Sequence, residues 1–315
     1  MIAILQQSFK LVRQKWQVTL IMYLTGLLLI AFPLFKFYQI LKGEAGHSMA
    51  LNELVTDFRF MIFSDFIRQS GKALRPVLVY GALFGFIGSL IYTFLSGGAV
   101  TEWANPTQKF SFKTFFQDAS RLFWKYFLLL ILLGILLFVF FLVSGIFYFI
   151  FVLLAEGSTE RGYVLWLIPP TLLLAYLLSC GLVLSFYAKV MICLEPKLSS
   201  PDAFLKSFTY VYKNQETVLQ FWLISLVGVG IILIYLQIDK YLGMTSAVMV
   251  WVMLIIQQIT VYLRIFLKNW NYAAAAEFFK QNPVQLWQEP KQPEPEILPV
   301  VEEETVEDES TGEEE

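Results

Sequence analysis

Few residues in this sequence have the types and spacing that catalysis or metal binding requires. The chain holds one histidine, His47, and two cysteines, Cys180 and Cys193, which do not form a C-x-x-C pair. A metal site needs several ligands at short spacings, and the segment GEAGH around His47 lacks them. The sequence also lacks the motifs of phosphate-binding loops, zinc hydrolases, dithiol redox proteins and serine hydrolases. We therefore expect no catalytic residue, no bound metal and no cofactor, and we predict that the chain is not an enzyme.

Uncharged polar residues are the remaining candidates for a site inside the apolar segments. Gln257, Gln258 and Ser185 lie in such segments. Side chains of this kind commonly hydrogen-bond between neighbouring helices and stabilise their packing. Alternatively, they would line a substrate path. A polar cavity around these three residues would indicate a permease, whereas a dry, closely packed bundle would indicate a scaffold.

The segments that would position these residues are long, apolar and free of charge. Hydrophobic residues make up 57% of the chain and charged residues only 15%, whereas soluble domains carry about 25% charged residues. A membrane-spanning helix needs about 20 apolar residues. The sequence therefore excludes a soluble globular protein and predicts an all-α integral membrane protein with six transmembrane helices. The six windows without a charged residue are 16–35, 76–101, 126–155, 162–188, 217–238 and 241–263.

The predicted organisation is a six-helix membrane domain, 1–282, followed by a disordered acidic tail, 283–315. Within the tail, residues 288–315 hold 12 of the 25 acidic residues, so their mutual repulsion opposes folding. The membrane domain is predicted to consist of three repeats, each an interfacial helix followed by a helical hairpin, with an outer helical loop at 42–75. The predicted interfacial helices are about 2–15, 110–121 and 201–213, and the predicted spans about 17–41, 76–96, 123–154, 168–188, 217–238 and 245–267.

The distribution of lysine and arginine predicts the orientation of the chain. Six alternating spans place 15 of the 23 basic residues on the side that holds both termini. Cytoplasmic loops carry the excess of basic residues. We therefore expect a multi-pass protein of the bacterial cytoplasmic membrane with both termini in the cytoplasm.

The basic residues of the interfacial helices predict contact with anionic lipid headgroups. The acidic tail is a candidate site for a protein partner with a basic surface, and no nucleic-acid partner is expected. The sequence sets no oligomeric state. The bases assigned to lipid headgroups are Lys10, Arg13, Lys15, Lys109, Lys113, Lys206 and Lys213.

Several local features near the predicted helix ends suggest further structure. The pair Gly97-Gly98 can turn the chain sharply, and Glu102 and Trp103 would then lie at the membrane interface. The spacing Gly81-x-x-x-Gly85 favours a close helix contact. A separate helix over 268–281 would place Trp270 and Tyr272 at the interface.

Two cytoplasmic stretches resemble the membrane domain found in some glycerophosphodiester phosphodiesterases and in related bacterial membrane proteins. They are SGGAVTEWANPTQKFSFKTFFQDASRLFWKY after the second span and LEPKLSSPDAFLKSFTYVYKNQ after the fourth. The resemblance covers roughly residues 1–280. Because the catalytic domain of those enzymes has no counterpart in this sequence, the resemblance implies a membrane fold and no enzymatic activity.

Together these observations predict a non-enzymatic membrane protein that acts as a scaffold, an accessory subunit or a lipid-handling component. A permease or channel-like transporter for a neutral or lipidic substrate is the alternative. An intramembrane enzyme is the third hypothesis.

Overall fold

The computed structural model describes residues 1–45, 60–242 and 246–283. His47 and all but the first residue of the predicted tail lie outside the described residues, as does the 46–59 part of the predicted outer loop. The described residues form eight α-helices and no strand. In chain order the helices are α1 (Ile2–Gln14), α2 (Trp16–Ala45), α3 (Phe60–Ala104), α4 (Phe112–Leu154), α5 (Glu160–Leu194), α6 (Ser200–Lys213), α7 (Glu216–Leu242) and α8 (Ala247–Gln281).

Six of these helices are long and apolar enough to cross a membrane, which confirms the predicted all-α multi-pass class. A helix rises 1.5 Å per residue, so a core of about 30 Å needs about 20 residues. The shortest of the six spans has 24 residues and the most apolar has 43. The spans are Trp16–Gln39, Arg75–Ala104, Phe112–Leu154, Glu160–Leu194, Glu216–Leu242 and Val248–Gln281.

Two of the three predicted interfacial helices are separate elements, and the second is not. Helices α1 and α6 each end just before a span begins, at Lys15 and at Asn214. The side chain of Asn214 donates a hydrogen bond to the carbonyl of Tyr210, which caps the end of α6. Residues 112–121, by contrast, form the first turns of α4, because no proline, glycine or capping side chain interrupts the helix before the span.

Helix α3 continues through Gly97 and Gly98, so the turn predicted there is wrong. A β-carbon built on Gly98 would lie 2.6 Å from the carbonyl oxygen of Phe115, and one on Gly97 would lie 3.0 Å from the Cα of Ala119. The two glycines therefore allow the backbones of α3 and α4 to approach closely. The predicted contact at Gly81 and Gly85 is wrong for the described residues, since a β-carbon there would meet nothing within 4 Å.

The buried core lies at the end of the bundle where α3 and α5 finish and α2 and α4 begin. Its largest fully buried side chains are aromatic: Trp103, Tyr126, Tyr187 and Tyr272. Trp103 is 1% exposed and Tyr272 is 2% exposed, so neither is the interfacial anchor that the sequence predicts. Residues 268–281 are also not a separate helix, because they continue α8 into this core.

Helices α1 and α6 pack against this core through part of their apolar faces. Trp270 on α8 donates hydrogen bonds to the carbonyl of Leu5 and to the hydroxyl of Ser8 on α1. On α6, Tyr210 packs against Phe278 and Phe279 of α8, and burial raises its pKa to about 12. The amphipathic pattern of both helices therefore reflects protein packing as well as the predicted membrane surface.

Candidate functional site

A cavity of about 600 Å³ lies among five of the spanning helices. This volume is within the range of sites that bind small molecules, about 300 to 1,000 Å³. The cavity is lined by one face of α3, α5, α7 and α8 and by two leucines of α4. The lining residues are Ser89, Tyr92, Thr93, Leu130, Leu133, Leu182, Ser185, Phe186, Lys189, Phe221, Ile224, Ser225, Gly228, Val229, Ile232, Arg264, Leu267, Lys268, Asn271 and Tyr272.

The cavity has a polar end and an apolar end. On α5, Leu182, Ser185 and Lys189 share one helix face, with Lys189 nearest the buried core. Leu182 and Lys189 are seven positions apart, which corresponds to about 10 Å along the helix. Leu133 on α4 and Ile232 on α7 extend the apolar wall away from the core end. A ligand that fills this space must be polar at one end and apolar at the other.

Three basic residues line the cavity, and no acidic residue does so among the described ones. They are Lys189 on α5 and Arg264 and Lys268 on α8. Arg264 and Lys268 are four residues apart, so their side chains leave the same face of α8 one turn from each other. No described carboxylate lies within ion-pairing distance of any of the three.

Aromatic rings take the place of carboxylates around the two lysines. The Lys189 ammonium lies 5.6 Å from the ring centre of Tyr126 and 5.4 Å from that of Tyr272. It also donates a 3.1 Å hydrogen bond to the hydroxyl of Tyr272. The Lys268 ammonium lies 5.2 Å from the ring centre of Tyr92. A cation over an aromatic face gains about 0.5–2 kcal/mol, and the ring supplies no negative charge to neutralise it.

Elsewhere in the same bundle a buried lysine is neutralised by a carboxylate. Lys15 is 2.7 Å from the carboxylate of Glu102 and also donates to the carbonyls of Glu102 and Asn105. These three bonds use all three ammonium protons. The contrast indicates that the positive charge in the cavity is available to a ligand, because no described carboxylate neutralises it as Glu102 neutralises Lys15.

Several hydrogen-bond donors face the same cavity. Among the described residues, the hydroxyls of Ser185 and Ser225 have no protein partner. Because Tyr272 accepts its hydrogen bond from Lys189, its own hydroxyl proton remains available. The Asn271 amide group donates to the carbonyl of Leu267, which leaves its oxygen as an acceptor. The polar end therefore offers mainly positive charge and donors, a combination that suits an anion.

Of the three residues predicted as an intramembrane polar site, the cavity contains only Ser185. Gln257 donates a 3.2 Å hydrogen bond to the hydroxyl of Tyr235. Gln258 accepts a 2.9 Å hydrogen bond from the hydroxyl of Tyr23. Both glutamines therefore connect α8 to neighbouring helices, which is the packing role that was the alternative for these side chains.

The seven bases predicted to contact lipid headgroups occupy different environments. Lys15 is buried and ion-paired with Glu102, with 8% of its side chain exposed, so the prediction that it contacts lipid is wrong. Lys206 is half-buried. The other five are exposed, as contact with headgroups requires: Lys10, Arg13, Lys109, Lys113 and Lys213.

The sequence reasoning missed Lys189, Arg264 and Lys268 as site residues, because it treated them only as bases flanking spans. Lys189 follows Ser185 by four residues and Arg264 precedes Lys268 by four, so each pair shares a helix face. That spacing was the available signal. Comparison with protein-family models, with curated proteins and with solved structures found no match.

Proposed function

We propose that this chain is a non-enzymatic protein of the bacterial cytoplasmic membrane that binds an anionic lipid, with the headgroup in the cavity between α3, α5, α7 and α8. The observation that carries the proposal is the set of three bases, none with a described carboxylate partner, that line a cavity with apolar walls. A headgroup compensates the bases, while the acyl chains replace water along the leucines and isoleucines. This is the lipid-handling form of the function that the sequence predicts.

A test of this proposal compares lipid retained by three forms of the full-length protein. After extraction in mild detergent, mass spectrometry should find anionic phospholipid bound to the wild type. The triple variant Lys189→Gln/Arg264→Gln/Lys268→Gln should lose it, because each base near a charged headgroup contributes roughly 1 kcal/mol. Together the three bases account for about 3 kcal/mol, or roughly a hundredfold in affinity.

A matched control variant removes the same charge from the exposed surface. Arg161→Gln/Lys197→Gln/Lys240→Gln should retain anionic lipid nearly as well as the wild type, because these exposed side chains lie outside the cavity and outside the set of bases assigned to lipid headgroups. The single variant Lys268→Gln provides a second measurement, since its side chain is exposed and its loss does not disturb the core. Equal lipid retention by the cavity variants and the wild type would contradict the proposal.

Transport of a lipidic substrate is the second candidate function. The observation that favours it is the cavity itself, which gives a substrate space inside the bundle at Ser185 and Ser225. Transport predicts that labelled anionic lipid moves between the leaflets of proteoliposomes that contain the protein. Binding without such movement favours the lipid-binding function.

The proposed orientation, with both termini in the cytoplasm, gives a topological prediction. A reporter fused after Glu315 should be cytoplasmic, and one inserted within 42–75 should be on the opposite side. The basis is the excess of basic residues on the terminal side. Enzymatic reporters active only in one compartment measure both positions, and the same side for both would exclude six spans in this order.

A further inference from the structure

The charge of the cavity sets a condition on the charge of its ligand. Three bases line it and none of the described lining residues is acidic. A headgroup with a single phosphodiester carries one negative charge, which would match only one of the three positive charges that line the cavity. Additional negative charge on the headgroup gains further attraction from the remaining bases. The cavity therefore favours a headgroup with about two negative charges.

The positions of the bases favour two charges on one phosphate group. Lys189 is hydrogen-bonded to the hydroxyl of Tyr272, and Lys268 lies one helical turn before Tyr272 on α8. Arg264 lies one helical turn from Lys268. A phosphomonoester carries about −1.5 to −2 at neutral pH and presents three acceptor oxygens. One such group matches both the charge and the donors of Ser185, Ser225 and Tyr272.

The same lining disfavours zwitterionic headgroups. An ammonium or choline group needs a carboxylate or an open aromatic face, and the described lining has no carboxylate. The rings of Tyr272 and Tyr92 already lie beneath Lys189 and Lys268. The apolar wall formed by Leu133, Leu182 and Ile232 disfavours free inorganic phosphate in turn, since that ion would leave this half of the cavity unfilled.

We propose that the ligand of this cavity is a lipid phosphomonoester, a single phosphate carried on an apolar chain or a diacylglycerol. This inference rests on the proposed anionic-lipid site and specifies its ligand class. Lys189, Arg264 and Lys268 hold the phosphate, and the apolar residues of α4, α5 and α7 contact the hydrocarbon next to it.

The test titrates the full-length protein in neutral detergent with four probes and measures binding by native mass spectrometry. The probes are dioleoyl phosphatidic acid, dioleoyl phosphatidylglycerol, cardiolipin and inorganic phosphate. At about pH 7.5, phosphatidic acid should bind roughly fivefold more tightly than phosphatidylglycerol, because it carries about one more charge. The preference should disappear in Arg264→Gln and persist in the exposed control Lys197→Gln, which lies outside the cavity.

The pH dependence separates a phosphomonoester from other dianions. The second pKa of a phosphomonoester is about 6, so phosphatidic acid loses about one charge between pH 7.5 and pH 5. Its affinity should fall over that interval. The titratable groups in the cavity are Lys189, Arg264, Lys268, Tyr92 and Tyr272, and acid only adds protons to them, which strengthens anion binding. A fall in affinity at acid pH must therefore come from protonation of the lipid phosphate and not from the protein. Cardiolipin has two phosphodiesters, so its affinity should not fall over this interval.

Each outcome decides between the two proposals. Equal binding of phosphatidic acid and phosphatidylglycerol overturns the phosphomonoester inference and leaves the anionic-lipid site intact. If cardiolipin binds tightly and phosphatidic acid does not bind, the phosphomonoester inference is overturned in the same way. If inorganic phosphate binds as tightly as phosphatidic acid, the inference that the ligand is a lipid is overturned. No binding of any of the three lipids overturns the proposed function as well.

Discussion

Replacing Lys15 by methionine should lower the free energy of unfolding by about 3–5 kcal/mol, the usual cost of removing one partner of a buried ion pair. The Lys15 ammonium is 2.7 Å from the Glu102 carboxylate, and 8% and 7% of the two side chains are exposed. Without the lysine, the carboxylate and the backbone carbonyl of Glu102 remain buried and lose this partner. The midpoint of thermal unfolding in detergent, followed by circular dichroism, measures the loss.

Two further variants separate the ion pair from other effects of the substitution. The double variant Lys15→Met/Glu102→Gln should recover most of the stability, because replacing both charges of a buried pair is often nearly neutral. Lys10→Met, an exposed base on α1, should change stability by less than about 0.5 kcal/mol. A Lys15→Met protein as stable as the Lys10→Met protein would show that the pair is not buried in the membrane-bound state.

Replacing Gly98 by alanine should destabilise the contact between α3 and α4 by about 1–3 kcal/mol, the usual cost of overpacking. The new methyl group would lie 2.6 Å from the Phe115 carbonyl oxygen and 2.8 Å from a ring carbon of the same residue. The carbonyl belongs to the helix backbone and cannot rotate away, so the helices must separate. Thermal unfolding in detergent again gives the measurement.

Gly85 is the matched control on the same helix. A β-carbon at Gly85 would meet nothing within 4 Å. Gly85→Ala should therefore be neutral or stabilising by up to about 1 kcal/mol, since alanine favours a helix over glycine. If both alanine variants were equally stable, the close approach of α3 to α4 at Gly98 would be contradicted.

The sequence predicts the membrane class and the number of spans, because these depend on local composition. An apolar segment of about 20 residues is sufficient to indicate a span wherever it packs. The start of α6 is local in the same sense: Ser199 accepts a hydrogen bond from the backbone of Asp202, with Pro201 at the first helical positions. Such signals can be read without knowing which helices are neighbours.

The role of the glycines and of the buried aromatic residues depends on the arrangement of the helices. Both Gly81-x-x-x-Gly85 and Gly97-Gly98 lie in α3, yet of the two pairs only Gly97-Gly98 faces the backbone of α4. Trp103 near a helix end is typical of a membrane interface, but α3 carries it into the core. Which face of each helix meets a neighbour is set by the packing of all the helices together.

The candidate functional site also divides into features that the sequence predicts and features that depend on helix packing. The sequence shows that Lys15, Lys189, Arg264 and Lys268 lie close to the ends of spans, and it assigns them all to the cytoplasmic side. Only the tertiary structure decides that Lys15 meets Glu102, 87 positions later, while the other three bases line one cavity without a carboxylate. The physical reason is that charge is a property of the residue, whereas compensation of that charge is a property of its neighbours in space. The helices determine which bases are neutralised within the protein and which remain available to a ligand.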